Sequence, residues 1–170
     1  MPYHWGMLVY HGSNVAVEIP KILASNRALD FGGGFYVTTN LEQAKTFANN
    51  VVNRNEGWGV PTISSYEIDF DKTLRELKVL QFDRPNDLWL DFVHAHRTSQ
   101  YSGELFDVIV GPVVNDTVYR VFRLFENGDI DREATIRRLK VAELYNQMAF
   151  RTERAIAALE FVGLMEGNNG

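Results

Sequence analysis

Three short stretches place residues that can do chemistry where a ligand could meet them. The first is His11-Gly12-Ser13, at the end of an apolar run. An imidazole followed by glycine offers a side-chain hydrogen bond beside backbone that a ligand can approach closely, which suits a ribose hydroxyl or an amide. On its own, a hydrogen-bonded turn histidine is the commoner use of such a residue. The second is Gly32-Gly33-Gly34 before Phe35-Tyr36. Three glycines permit positive φ and close approach, but they lead into a strand, whereas phosphate-binding loops need a helix N-terminus next. Neither GxGxxG nor GKS/T occurs, which excludes a Rossmann or P-loop site. The third is Gln147, in a late strand-like run from Tyr145 to Phe150. Alternation puts Gln147 on one face with Tyr145 and Ala149, and Asn146, Met148 and Phe150 on the other. Its carboxamide can hold a hydroxyl but cannot act as a base. His94 and His96 invite a metal, but positions i and i+2 of a helix face different ways and no HExxH accompanies them, so no metal is expected. There is no GxSxG elbow either.

The elements that must position these residues follow from hydrophobic period. Met7–His11 is predicted as a strand ended by Gly12, Ser13 and Asn14, Ile19–Leu23 as a short helix, and Phe35–Thr38 as a second strand. Asn40 caps a helix with Leu41, Ala44, Phe47, Ala48 and Val51 at helical spacing. A polar loop spans 53–61, and Ile63–Phe70 alternates as a half-buried strand. Asn86 caps a helix carrying Leu88, Trp89, Phe92 and Val93; Phe106–Val110 is a strand stopped by Gly111-Pro112. Val113–Phe125 has no assignment, and Arg132–Leu139 is a helix. Leu144–Phe150 is a strand and Glu153–Leu164 a closing helix. Strands and helices without regular alternation imply an α+β fold.

The chain has 170 residues, with 17 Lys and Arg against 22 Asp and Glu and a formal charge of −5. That length suits one domain, residues 1–170. With no cysteine, disulfides, thiolate metal sites and Cys nucleophiles are excluded. The acidic balance argues against a generic nucleic-acid backbone binder. Arg132, Arg137, Arg138 and Lys140 form a basic stretch best explained as a solvated helix face. No secretory signal or apolar span is seen, so a cytoplasmic protein without membrane contact is expected, specialised secretion of an effector being left open.

Taken in order, the motifs resemble the ADP-ribosyltransferase superfamily, on its diphtheria-toxin and PARP side with a His–Tyr–Glu triad. Tyr10-His11-Gly12-Ser13 matches the first motif. Gly32 to Val37, followed by the helix from Leu41 to Asn50, matches the second, with Phe47 spaced as the second aromatic of PARP relatives. Tyr145 to Phe150 resembles the third, with Gln147 standing where that family has glutamate. A closer resemblance, over nearly the full length, is to an uncharacterised bacterial domain family thought to share this fold. It rests on Tyr10–Ser13, Asp30–Thr39, Phe106–Val113 and the Gln-x-x-Phe-x-Thr-Glu-x-Ala run from Gln147 to Ala155.

The resemblance implies a split β-sheet core with flanking helices and NAD as substrate, with no metal. It implies catalytic roles for His11, Tyr36 and Gln147, and an NAD site of His11, Gly12, Ser13, Gly34, Tyr36 and Phe47. His11 would bond the adenosine ribose, the Gly12 backbone the nicotinamide carboxamide, and Tyr36 and Phe47 would sandwich the ring for about 1 kcal/mol per stacked pair. Glycosidic cleavage leaves an oxocarbenium-like ribose that negative charge stabilises. A neutral Gln147 therefore disfavours polymer elongation but permits single transfer. Glu143 and Glu153 are the nearest substitute carboxylates, although Glu153 at a helix start has an ordinary structural role. The expected function is mono-ADP-ribosyl transfer to an unknown macromolecular acceptor, as a toxin or effector with a neutralising antitoxin partner. The alternatives are an NAD glycohydrolase and a non-catalytic NAD or ADP-ribose binding module.

Overall fold

The computed structural model describes residues 6–22, 30–114, 116–140 and 146–167, with the side chains of 116–118 left aside. In chain order the elements are β1 (Met7–Ser13), β2 (Phe35–Thr38), α1 (Leu41–Arg54), β3 (Thr62–Ile68), α2 (Phe70–Glu76), β4 (Val79–Gln81), α3 (Asp87–Arg97), β5 (Val108–Pro112), α4 (Asp116–Glu126), α5 (Arg132–Lys140), β6 (Asn146–Phe150), α6 (Glu153–Ile156) and β7 (Glu160–Glu166). The fold is α+β. Side-chain oxygens of Asn40, Asp69, Asn86 and Thr152 cap α1, α2, α3 and α6, each accepting a backbone N–H three residues on.

The strands form one sheet in the order β4-β5-β6-β2-β1-β3-β7, with β4 and β5 parallel and the other pairs antiparallel. Its narrowest point is the β1–β2 seam, where Tyr10↔Thr38 is the register pair; β1 and β3 are in register from Met7↔Ile68 to Ser13↔Thr62. The seam divides the sheet into a β4-β5-β6-β2 wing and a β1-β3-β7 wing. On one face Tyr36, Ala149, Ile109 and Leu80 line up in register. They pack with Phe31, Trp89, Leu90, Val93, Phe122 and Leu139 from the chain around α3, α4 and α5. On the other face Phe35, Val37, Val108, Met148 and Phe150 meet Val9 and Tyr66, closed by Ala155, Ile156 and Leu159.

Several sequence expectations are corrected. Helix α6 stops at Ile156, and Glu160–Glu166 is a strand instead of the end of a closing helix. A one-turn helix has little stability of its own, whereas pairing the tail with β3 satisfies that strand's outer edge and sets Phe161 edge-on to Tyr66. Residues 19–22 are not helical; Leu23 lies outside the described residues. Nearby backbone groups are used by the sheet, for the Val17 N–H donates to Ser64 Oγ and the Val17 carbonyl accepts from the Tyr66 hydroxyl. The strand expected over Ile63–Phe70 ends at Ile68 because Asp69 caps α2. Its half-buried alternation fails at Ser64 and Ser65, both buried in a strand with neighbours on each side. Gly111 and Pro112 extend β5 instead of stopping it, and the unassigned stretch after Val113 holds α4. Leu144 and Tyr145 lie outside the described residues.

Candidate functional site

The seam explains where the sequence motifs meet. After Tyr10↔Thr38 the β1–β2 ladder is not continued, and at the next residue the His11 ring reaches across instead. Its Nδ1 lies 2.7 Å from the Tyr36 carbonyl oxygen. A carbonyl only accepts, so Nδ1 carries the proton. Burial lowers the pKa of His11 from its ordinary 6.5, outweighing the Tyr36 backbone bond that raises it. The neutral ring therefore presents Nε2 as an acceptor, and among the described residues nothing donates to it. Phe35 holds the ring in place, stacked 4.2 Å away at 24°.

Gly12 is required for a different approach from the one its motif suggests. A β-carbon there would lie 2.2 Å from the Ala44 carbonyl oxygen and 2.8 Å from the Ala48 nitrogen, so helix α1 rests directly on β1. The small residues Ala44 and Ala48, four apart and both buried, were the sequence signal for this contact. Gly34 is needed where β2 begins, since with φ of +156° a β-carbon would come within 2.8 Å of the Phe150 carbonyl oxygen. The Ser13 hydroxyl donates to Asn14 Oδ1 at 3.3 Å.

Tyr36 lies on the opposite face of the sheet from the His11 ring. Its hydroxyl donates to the Gly32 carbonyl and accepts the Phe31 N–H at 3.2 Å, and its ring runs parallel to Phe31 at 6.5 Å. Burial pushes its pKa up, against the Phe31 N–H bond that lowers it. Gln147 sits between Thr38 of β2 and Gly111 of β5, half-buried, on the Tyr36 face. Among the described residues its carboxamide has no hydrogen-bond partner. The motifs thus occupy adjacent strands β6, β2 and β1. Contact between them runs through the His11 ring and the Tyr36 backbone, while the rings of Tyr36 and His11 face opposite ways. Phe47 is exposed on α1 with the Arg54 guanidinium 5.9 Å above its ring, and it does not pair with Tyr36.

Other candidates take structural roles. Glu153 opens α6 behind the Thr152 cap, and Glu143 lies outside the described residues. His94 packs edge-on to Phe125 and His96 stacks on Tyr101, so the two imidazoles meet different neighbours. Among the described residues no group of three or more His, Asp or Glu could hold a metal ion. Arg132 pairs with Asp91 at 2.5 Å, which removes one cation from the basic stretch. Among the described residues no helix is long and apolar enough to cross a membrane.

Two features escaped the sequence reading. Asp107 accepts hydrogen bonds from the Lys78 backbone N–H, Thr152 and Arg154. Burial raises its pKa, but those bonds outweigh it and hold the carboxyl below the ordinary carboxylate range. The Phe106-Asp107 and Thr152-Glu153-x-Ala155 motifs are therefore two halves of one clamp between β5 and α6. The second feature is Arg151, directly after β6, whose Nε donates to the Gly33 carbonyl at 3.1 Å. Two cavities lie apart from His11 and Tyr36. One of about 820 Å³ is lined by Glu67, Asp69, Glu76 and Glu160 beside α2, and one of about 600 Å³ by Pro112, Leu139 and Asn146.

An α+β domain whose motif-bearing strands meet at a narrow seam is thus the class of protein defined by this geometry. Residues 7–161 match the family model described as protein of unknown function DUF3990, and the chain belongs to that family. No curated protein and no solved structure matches the chain.

Proposed function

We propose that this chain is an NAD-dependent, mono-ADP-ribosyltransferase-like protein that uses the β1–β2 seam to hold the dinucleotide. The observation that carries this reading is the His11 bond to the Tyr36 carbonyl. It fixes the tautomer that leaves Nε2 free to accept a ribose hydroxyl, at a point where the strands no longer pair. The neighbouring position of Gln147 on β6 supports the same reading, since it stands on the strand next to Tyr36. In this reading Gln147 orients the ribose through its amide oxygen and supplies no charge to the oxocarbenium-like state, so turnover is slow. A macromolecular acceptor takes the ADP-ribose, and an antitoxin-like partner restrains the activity. Water as acceptor would make the chain an NAD glycohydrolase.

A second reading has its own support. The Tyr36 hydroxyl is already bonded to Gly32 and Phe31, and Gln147 is neutral. Both favour a module that binds NAD or ADP-ribose without cleaving it.

Nicotinamide release from NAD, measured beside an NAD binding titration, separates these readings. Transfer or hydrolysis predicts release that His11→Ala abolishes together with binding, and that Gln147→Glu raises. The binding module predicts saturable NAD affinity, lost in His11→Ala, with no release from any variant. NAD affinity unchanged in His11→Ala would sink both.

A further inference from the structure

Two side chains that approach Gly32 each carry a buried nitrogen without a hydrogen-bond partner. Arg151 Nη1 is inaccessible to solvent and has no hydrogen-bond partner, and among the described residues its guanidinium forms no ion pair. His96 is 8% exposed; its Nδ1 donates to the Phe92 carbonyl at 2.9 Å, and its Nε2 is buried without a partner. Both side chains approach Gly32, through atoms next to the unpartnered ones. A β-carbon on Gly32 would lie 2.9 Å from Arg151 Nη2 and 2.9 Å from His96 Cδ2. Gly32 has a φ of +81°, a conformation that favours glycine, and Gly33 beside it is exposed with nothing within 4 Å of its β-carbon position.

A buried guanidinium nitrogen and a buried imidazole nitrogen without partners each cost free energy, so their presence together calls for an occupant. The donors of arginine match an oxyanion, and a charged oxygen bonds them more strongly than the neutral Gly33 carbonyl that Nε now uses. The imidazole imposes a further requirement. With Nδ1–H committed to Phe92, Nε2 accepts, so the occupant must bring a proton as well as a negative charge. Phosphate monoesters meet both demands, because their second pKa is about 6 and one oxygen keeps a proton near that pH; inorganic phosphate, the weaker acid at that step, keeps it more fully. Sulfate and phosphodiesters supply the charge alone.

We propose that Arg151 and His96 form a phosphate-monoester site under the Gly32–Gly34 turn. Ligand oxygens replace the Gly33 carbonyl at the guanidinium, and one proton is shared between a ligand oxygen and His96 Nε2. The Gly32 carbonyl is held by the Tyr36 hydroxyl and the Gly33 carbonyl by Arg151 Nε, and the exchange replaces only the second of these bonds. This site does not rest on the NAD reading, because the diphosphate of NAD carries no proton at that pH. Phosphate binding without nicotinamide release would leave it standing.

The test titrates the full chain with inorganic phosphate and with sulfate near pH 6, by calorimetry and by the ¹⁵N resonance of His96 Nε2. The expected result is saturable phosphate binding that moves the Nε2 resonance, and sulfate binding weaker by roughly tenfold or more, the worth of one charge-assisted hydrogen bond. Arg151→Gln, a half-buried position whose fold is checked by circular dichroism, should weaken phosphate by a similar factor. Three outcomes would each overturn the site: no phosphate binding, equal affinity for sulfate, or an Nε2 resonance that stays still at saturation. Wild-type phosphate affinity in a folded Arg151→Gln protein would do the same.

Discussion

The two wings of the sheet are built to different standards, and the motif residues lie on the join between them. The β4-β5-β6-β2 wing is covered on both faces: α3, α4 and α5 bury Trp89, Leu90 and Phe122 on one side, and α6 closes over Val108 and Phe150 on the other. Its ties are also polar. Trp89 Nε1 donates to the Pro112 carbonyl at 2.8 Å, Asp107 clamps α6, and Arg97 bridges Asp30 and Glu126 beneath Phe122. The β1-β3-β7 wing carries α1 on one face and the segment around Val17 on the other. It ends in an edge strand whose Val162 and Leu164 are each 48% exposed. One wing is packed on both faces by helices and the other ends in an open edge strand, and the His11 bridge and the α1–Gly12 contact sit at the join between them.

This contrast can be broken in order of effect. Trp89→Ala removes a fully buried ring and its hydrogen bond, and chemical denaturation should show a loss of about 3–5 kcal/mol. A loss no larger than that of a surface change would refute the scaffold role of this wing. Gly12→Ala drives a methyl into the Ala44 carbonyl and should cost about 1–3 kcal/mol or more by displacing α1. A neutral result in the same denaturation experiment would mean that the helix does not rest on the strand.

The His11 bridge sets a pH dependence. Its native pKa lies below the ordinary 6.5, so the unfolded chain binds the extra proton first. The contribution of this group is complete above pH 6.5 and declines as the pH falls from there toward the native value. The drop in denaturation midpoint between about pH 7 and about pH 5 should therefore shrink in His11→Gln. An unchanged drop would show that the imidazole is not held neutral at the seam. Leu164→Thr on the outer strand should change stability by no more than about 0.5 kcal/mol. Backbone amides of β7 should also exchange with solvent well before those of β6, and equal protection would erase the distinction between the wings.

Much of the scaffold was legible in the chain because its signals are local. Asn40 and Asn86 announce their helices through a side chain that caps the N–H three residues on, and Phe35–Thr38 shows its strand by composition. Glu160–Glu166 was misread because its helical period is weak evidence against the free edge of β3, a partner that only the folded sheet supplies. Ser64 and Ser65 broke the expected alternation for a related reason, since burial on both faces depends on neighbours remote in sequence. Of the candidate site, the residues were legible but their relations were not. The resemblance implies Tyr36 and Phe47 as a stacking pair, yet one ring packs on Phe31 and the other lies under Arg54.

The sequence by itself determined the α+β class, the absence of cysteine chemistry, and the motif residues His11, Tyr36 and Gln147, because each follows from residue type and short-range period. Tertiary structure alone decided that His11 would bridge the seam, that Gly12 would serve α1, and that Arg151 and His96 would both approach Gly32. Those relations arise where strands far apart in the chain stop pairing or pack closely. Which backbone groups and ring nitrogens are left to bond is settled only when the whole sheet has closed.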